Sequence, residues 1–178
     1  MPFRLRLPPH GLWLAFLMAG GCGGAAAQSP HVSSVGHAHG TPVLFSYRTT
    51  EGGVFSSDTT RGRATAVLFV TTYDPVSQLA AQKLDEVLHA FRPRANGGAI
   101  VLEPEQNAMF ADVFRSTLHL SYPVSISDTG ARLGDGPFGA VHVVPTVVVL
   151  DRDGREVWRK AGMASPRQLE AALAGASR

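Results

Sequence analysis

Ala66-Val67-Leu68-Phe69-Val70-Thr71-Thr72-Tyr73-Asp74-Pro75-Val76-Ser77 joins a strand to a helix, and this join decides the fold. The first five residues are a short, continuous apolar run, the pattern of a strand covered on both faces. Asp74 has a side chain suited to accept from the free N–H groups of a first helical turn. Pro75 sits where its fixed φ suits the first helical position and its missing N–H costs nothing. The sequence therefore predicts a helix that starts at Pro75. Leu79, Leu84, Val87, Leu88 and Phe91 follow at mostly helical spacing and form its expected apolar stripe.

Working outward, Ala99-Ile100-Val101-Leu102 reads as a second buried strand. Glu105 to His119 reads as a second helix, with Met109, Phe110, Val113, Phe114 and Leu118 as its apolar stripe. Val143-Val144-Pro145-Thr146-Val147-Val148-Val149-Leu150 is the strongest strand signal in the chain. Asp151-Arg152-Asp153-Gly154 is turn chemistry leading into Glu156-Val157-Trp158-Arg159. Ser165-Pro166-Arg167-Gln168 is a capping box with proline at the first helical position, and it opens a last helix through Leu169 and Leu173. Toward the N-terminus, Val43-Leu44-Phe45 and Val54-Phe55 flank Thr49-Thr50-Glu51-Gly52-Gly53, which predicts a hairpin. A hairpin, then β-α-β-α, a second hairpin and a final helix make an α/β layered domain.

The N-terminal residues read differently. Residues 1–21 carry Arg4 and Arg6, then Leu12-Trp13-Leu14-Ala15-Phe16-Leu17-Met18, then small residues, which is the pattern of a secretory signal peptide. The apolar stretch falls short of the roughly 20 residues a membrane-spanning helix needs. Ala19-Gly20-Gly21-Cys22 resembles a bacterial lipobox, with Ala19 where leucine is usual, so Cys22 is the expected lipidation site. Ala25-Ala26-Ala27 before Gln28 fits ordinary release, and that alternative stays open. Residues 22–42 are rich in Gly, Ala, Ser and His without hydrophobic period and read as a flexible tether. His31, His37 and His39 fall in it. Either they form a weak copper or zinc motif, or they are solvated linker; no acid or thiol nearby completes a metal site, and none is assigned.

Composition narrows the function classes. The chain has 178 residues, 44% of them hydrophobic, and a single cysteine, so neither a disulfide scaffold nor an intramolecular dithiol couple is open to it. Its 16 basic residues exceed the 14 acidic ones by two. Arg4 and Arg6 account for that excess, so no electrostatic footprint for nucleic acid remains in residues 22–178.

The order of elements and the local words resemble the thioredoxin-fold superfamily of redoxin type, the group that holds membrane-anchored thiol–disulfide oxidoreductases and peroxiredoxins. Four segments carry the resemblance. They are Thr50-Glu51-Gly52-Gly53-Val54-Phe55 followed by Arg61-Gly62-Arg63, Phe69 to Ser77, Val144-Pro145-Thr146, and Asp151 to Gly154. The resemblance implies a thioredoxin-like domain over residues 43–176, with a central mixed β-sheet flanked by helices and an N-terminal β-hairpin. It also implies a cis bond at Val144–Pro145 facing the loop at Tyr73 and Asp74. The departure is at the chemistry: where relatives carry Cys-x-x-Cys, or Thr-x-x-Cys in peroxiredoxins, this chain has Asp74 and Ser77. A thiolate at a helix N-terminus is a nucleophile because its pKa is lowered, whereas a carboxylate cannot exchange disulfides.

The expected function is therefore an exported domain without redox cysteines or cofactor. It binds an envelope protein or an extended peptide segment through Tyr73, Asp74, Val144 and Pro145, and is held to the membrane by a lipid at Cys22. A thiol–disulfide oxidoreductase or peroxiredoxin-type enzyme is the alternative that the resemblance favours. His142, three residues before Pro145, either faces the site loop or lies at a strand end. His89 and His119 fall on helix bodies, Phe69 and Trp158 in strands, and Glu103-Pro104-Glu105 reads as a lead-in to the second helix.

Overall fold

A computed structural model describes residues 40–178. The leader at 1–21, Cys22, most of the 22–42 tether and His31, His37 and His39 lie outside the described residues.

The strand–helix join forms where the sequence places it. β3 (Ala64–Val70) has every residue buried, and α2 (Pro75–Phe91) begins at Pro75 with Asp74 as its cap. β3 is the centre of a five-stranded sheet in the order β5-β4-β3-β6-β7. β4 (Ala95–Val101) and β5 (Val124–Ile126) run parallel on one side, and β6 (Thr146–Leu150) and β7 (Glu156–Ala161) continue antiparallel on the other. Because side chains alternate along a strand, β3 feeds two cores. Leu68 and Val70 pack with Leu84, Val87 and Leu88 of α2, Phe114 of α3 (Ala108–Thr117), and Leu169 and Leu173 of α5 (Pro166–Ala176). Val67 and Phe69 pack on the opposite face with Phe45, Tyr47, Phe55 and Phe138. The α5 capping box forms as the sequence predicts, with Ser165 accepting from the Gln168 N–H and the Gln168 side chain accepting from the Ser165 N–H.

Four expectations are corrected. The hairpin pairs β1 (Ser46–Arg48), not Val43–Phe45, with β2 (Val54–Ser56), in the register Ser46–Ser56, Tyr47–Phe55 and Arg48–Val54. A short helix, α1 (Ser57–Thr60), follows it. The hairpin packs against the sheet: Thr50 N–H donates to Val124 O at 2.9 Å, and Phe55 lies so close over Gly98 that a Cβ there would sit 2.5 Å from its ring. Leu79 on α2 is exposed, and buried Ala80 and Ala81 take the core face instead. The second helix opens as a 3-10 turn at Glu105–Asn107 and ends at Thr117. His119 lies beyond it with φ of 53°, where its N–H reaches Ser116 O and Leu120 N–H reaches Arg115 O. That helix also turns Met109 (68% exposed), Phe110 and Val113 toward solvent and buries only Ala111 and Phe114. β5 and α4 (Thr129–Leu133) have no counterpart in the sequence reading.

Candidate functional site

Two loops leave the same end of two neighbouring strands. Phe69 of β3 is paired with Thr146 of β6, so Pro145 stands beside the end of β3, and Tyr73 and Asp74 follow Val70 on that same edge. The Val144–Pro145 bond is cis, and Pro145 is buried. None of the backbone hydrogen bonds among the described residues involves Val144 or Tyr73. Tyr73 projects its ring outward at 78% exposure. His142 and Val143 are exposed in the loop leading to Pro145.

Asp74 is fully engaged by the helix it caps. One carboxylate oxygen accepts from Val76 N–H at 3.2 Å. The other accepts from Ser77 N–H at 2.9 Å and from the Ser77 hydroxyl at 2.7 Å. The Ser77 hydroxyl bond and these two N–H bonds hold the Asp74 carboxyl below its ordinary value, against a smaller opposing effect of desolvation. Ser77 is fully buried, its proton committed to Asp74 and its oxygen accepting from Thr71 N–H at 3.4 Å. A carboxylate and a hydroxyl bound in this way satisfy one another and the helix terminus. Neither is a thiol, and neither exchanges disulfides.

The loop is held from below by a residue the sequence reading treats as a helix lead-in. Glu103, 4% exposed, follows β4, and its Oε1 accepts from Thr72 N–H at 2.6 Å and from the Thr72 hydroxyl at 2.7 Å. Its Oε2 accepts from Asn107 Nδ2 at 2.9 Å. Arg132 of α4 donates to the Glu103 main-chain carbonyl at 3.4 Å and to Ser127 O at 2.9 Å, so the carboxylate rests on neutral donors. Gln78 Nε2 closes the loop from above by donating to Thr72 O at 3.0 Å. An acidic residue just past a strand carried no periodic signal, which is why the sequence did not disclose this clamp.

The exposed apolar residues of α3 meet this loop. A cleft of about 310 Å³ lies between the start of α2 and α3, with Thr72, Tyr73 and Gln78 on one wall and Phe110, Val113 and Leu118 on the other. Its α3 wall belongs to the half of the sheet that holds β4 and β5, since α3 packs against β5, whereas Pro145 leads into β6 on the other side of β3. Phe110 and Val113 at helical spacing were the available signal, but the same spacing describes a core stripe. Among the described residues, no three His, Cys, Asp or Glu side chains are grouped to hold a metal ion. No helix among them is long and apolar enough to cross a membrane.

No protein-family model and no curated protein matches this chain. Solved structures do. A thiol:disulfide interchange protein of the thioredoxin family from Chlorobium tepidum is 23% identical, with a TM-score of 0.63 over 79% of this chain and 100% of its own. The fold is thioredoxin-like. A DsbF homologue from Corynebacterium diphtheriae superposes at a TM-score of 0.67 over 83% of this chain and 96% of its own, at 17% identity. A secreted Mycobacterium tuberculosis disulfide oxidoreductase, homologous to Escherichia coli DsbE, is 21% identical with a TM-score of 0.60, over 75% and 96% of the two chains. The thioredoxin-like frame carries two features of the sequence reading, a central mixed sheet flanked by helices, here of five strands, and an added N-terminal strand pair.

Proposed function

We propose that this chain is a non-catalytic thioredoxin-like module, exported and tethered at the cell envelope, that binds an extended peptide segment of a partner protein. One observation carries the reading. The helix terminus where a thiol would be activated is occupied by Asp74, whose carboxylate is consumed in capping, and by Ser77, whose hydroxyl is buried and bonded to it. The only cysteine, Cys22, precedes the proposed domain at 43–176.

Binding has a physical basis without thiols. The main-chain groups of Tyr73 and Val144 are free of backbone partners among the described residues, as strand addition of an extended segment requires. The exposed Tyr73 ring and the cleft beside Phe110 and Val113 offer apolar contact. The ionised Asp74 favours segments carrying Lys or Arg. Export and lipid attachment at Cys22 rest on the sequence of residues 1–22 and are part of the same proposal.

The test is a pull-down from envelope extract with the wild-type chain and with Tyr73→Ala and Asp74→Lys. Both variants weaken capture of the same partner while the far-UV spectrum is unchanged. Equal capture by all three places recognition elsewhere. A redox enzyme of the same fold is the second reading, favoured by the names of the solved structures it resembles. Turnover in a thiol–disulfide assay separates the two.

A further inference from the structure

The charges of residues 22–178 balance in sum, but one end of the domain collects arginine. β3 and β4 begin, and β6 finishes, at the end of the sheet opposite Tyr73 and Pro145. Each connection there is basic. Ala64 pairs with Ala95 and Thr65 with Leu150, so Arg63 stands between Arg94, before β4, and Arg152, after β6. Gly62, with φ of 87°, turns the chain into β3. Its N–H donates to Arg152 O at 2.9 Å, and Arg152 Nε donates to Gly62 O at 3.3 Å. Arg92 reaches Ser121 O at 3.2 Å, and Arg94 lies over the Phe91 ring, 5.4 Å from its centre. Arg61, Arg63, Arg92, Arg94 and Arg152 are all exposed, and none joins an ion pair among the described residues.

The acids at this end are largely spoken for. Asp153 pairs with Arg155, and one oxygen of Asp151 accepts from the Asp153 and Arg155 N–H groups. Asp85 accepts from the N–H and hydroxyl of Ser121 and faces His89. Asp58 is exposed on α1. The free guanidinium groups do not converge on one point: the cavity of about 330 Å³ at this end is lined by Arg92 and by none of the other four. Arginines spread over three connections fit an extended anionic surface better than a single anion, and each planar fork suits a phosphate.

A second observation says which surface. The segment that reads as a tether, residues 22–42, joins the domain here, where Val43 N–H donates to Gly154 O at 2.8 Å. Phe45 O then accepts from Ser57 N–H at 3.0 Å, and exposed Leu44 lies between these two attachments. A lipid at Cys22 therefore draws the arginine end, and not the Tyr73 end, toward the bilayer. We propose that this end is the membrane-facing surface of the protein, with its guanidinium groups on the phosphates of anionic phospholipids. β3 has seven residues and spans about 20 Å, so the Tyr73–Pro145 end stands outside a headgroup field that decays over about 10 Å. The choice of a membrane rests on the proposed export and tether, while the arginine surface itself does not depend on the reading of Asp74.

The test is NMR of the full chain on lipid nanodiscs that carry a gadolinium chelate on some headgroups, which speeds relaxation of amides near the bilayer. Residues 1–42 are the same in every sample, so the comparison reads how the domain lies. In discs of equal phosphatidylglycerol and phosphatidylcholine, amides 61–63, 94 and 152–155 relax at least about threefold faster than those of 72–78 and 109–113. That contrast falls by half or more in phosphatidylcholine alone, at about 0.5 M salt, and in Arg61→Gln with Arg63→Gln. It persists in Lys160→Gln with Arg167→Gln, which removes the same charge elsewhere. A contrast indifferent to lipid charge and to both arginines comes from the tether alone and overturns the proposal. Fastest relaxation at Tyr73, Met109 and Phe110 overturns it by putting the exposed face of α3 on the lipid. Shifts of the arginine-end amides with polyglutamate, but not with anionic discs, overturn it in favour of an acidic partner protein. Capture by Tyr73 and Asp74 is read at the opposite end, so either reading can fail alone.

Discussion

Removing the Glu103 carboxylate should loosen the candidate site more than any change on its surface. The carboxylate accepts three hydrogen bonds, two from Thr72 and one from Asn107, and is itself 4% exposed. Truncation in Glu103→Ala leaves those donors facing a void. An unmet buried donor costs about 1–3 kcal/mol, and bonds to a charged acceptor lie at the upper end. Thr72 and Asn107 are only partly buried, so water recovers some of this, and a net loss of about 3 kcal/mol is expected. For a domain of this size that is a fall in Tm of roughly 10 °C. Glu103→Gln keeps an oxygen for Thr72, and Asn107 can rotate its amide to accept from the new NH₂, so it should cost less than half as much. Thermal and urea unfolding of the full chain, followed by far-UV circular dichroism, measures both. A cost below about 1 kcal/mol for Glu103→Ala would refute the clamp, as would a glutamine variant no better than alanine.

Two single contacts and the lipobox-like sequence at Cys22 give three further outcomes. Asp74→Ala removes the α2 cap and should cost about 1 kcal/mol at neutral pH. Since the folded state holds the Asp74 carboxyl below its ordinary value, that stabilisation is present above the unfolded-state value of about 3.9 and disappears as pH falls through the lower folded value. Urea titrations should therefore show the two chains converging in strong acid, and a gap that persists there contradicts the assignment. Gly98→Ala drives a methyl to 2.5 Å from the Phe55 ring and should cost about 1–3 kcal/mol, partly recovered by adding Phe55→Leu; a neutral glycine substitution means the hairpin does not pack as described. Cys22→Ser should move the protein from the membrane to the soluble envelope fraction, since acyl chains contribute about 0.8 kcal/mol per buried CH₂. A soluble wild type beginning at Gln28 identifies Ala25-Ala26-Ala27 as the processing site.

Those parts of the fold dictated by local chemistry were legible. The Asp74–Pro75 helix start, the Ser165–Gln168 capping box and the turn at Gly154, with φ of 81°, each need particular residues at particular positions, and the sequence has them. What escaped reading depends on tertiary contact. β1 exposes Ser46 and Arg48 and buries only Tyr47, so a three-residue strand looked like loop, while the apolar Val43-Leu44-Phe45 drew the assignment. β5 is equally short and becomes a strand by pairing with β4. Met109, Phe110 and Val113 keep a helical period, but a period fixes which residues share a face and not what covers it. At the site, the absence of thiols was plain from Asp74 and Ser77. Glu103 and the cleft wall were not, because both are assembled by elements distant in sequence.

The reading of the site as a cap in place of a redox couple is tested most directly by insulin reduction. The assay compares the full chain in a Cys22→Ser background with the same chain carrying Asp74→Cys and Ser77→Cys. No turnover above buffer is expected without the added thiols. Measurable reduction is expected with them, because the N–H groups that now hold Asp74 would stabilise a thiolate at that position. Turnover by the chain that has no cysteine at all would mean that the start of α2 carries redox chemistry without thiols.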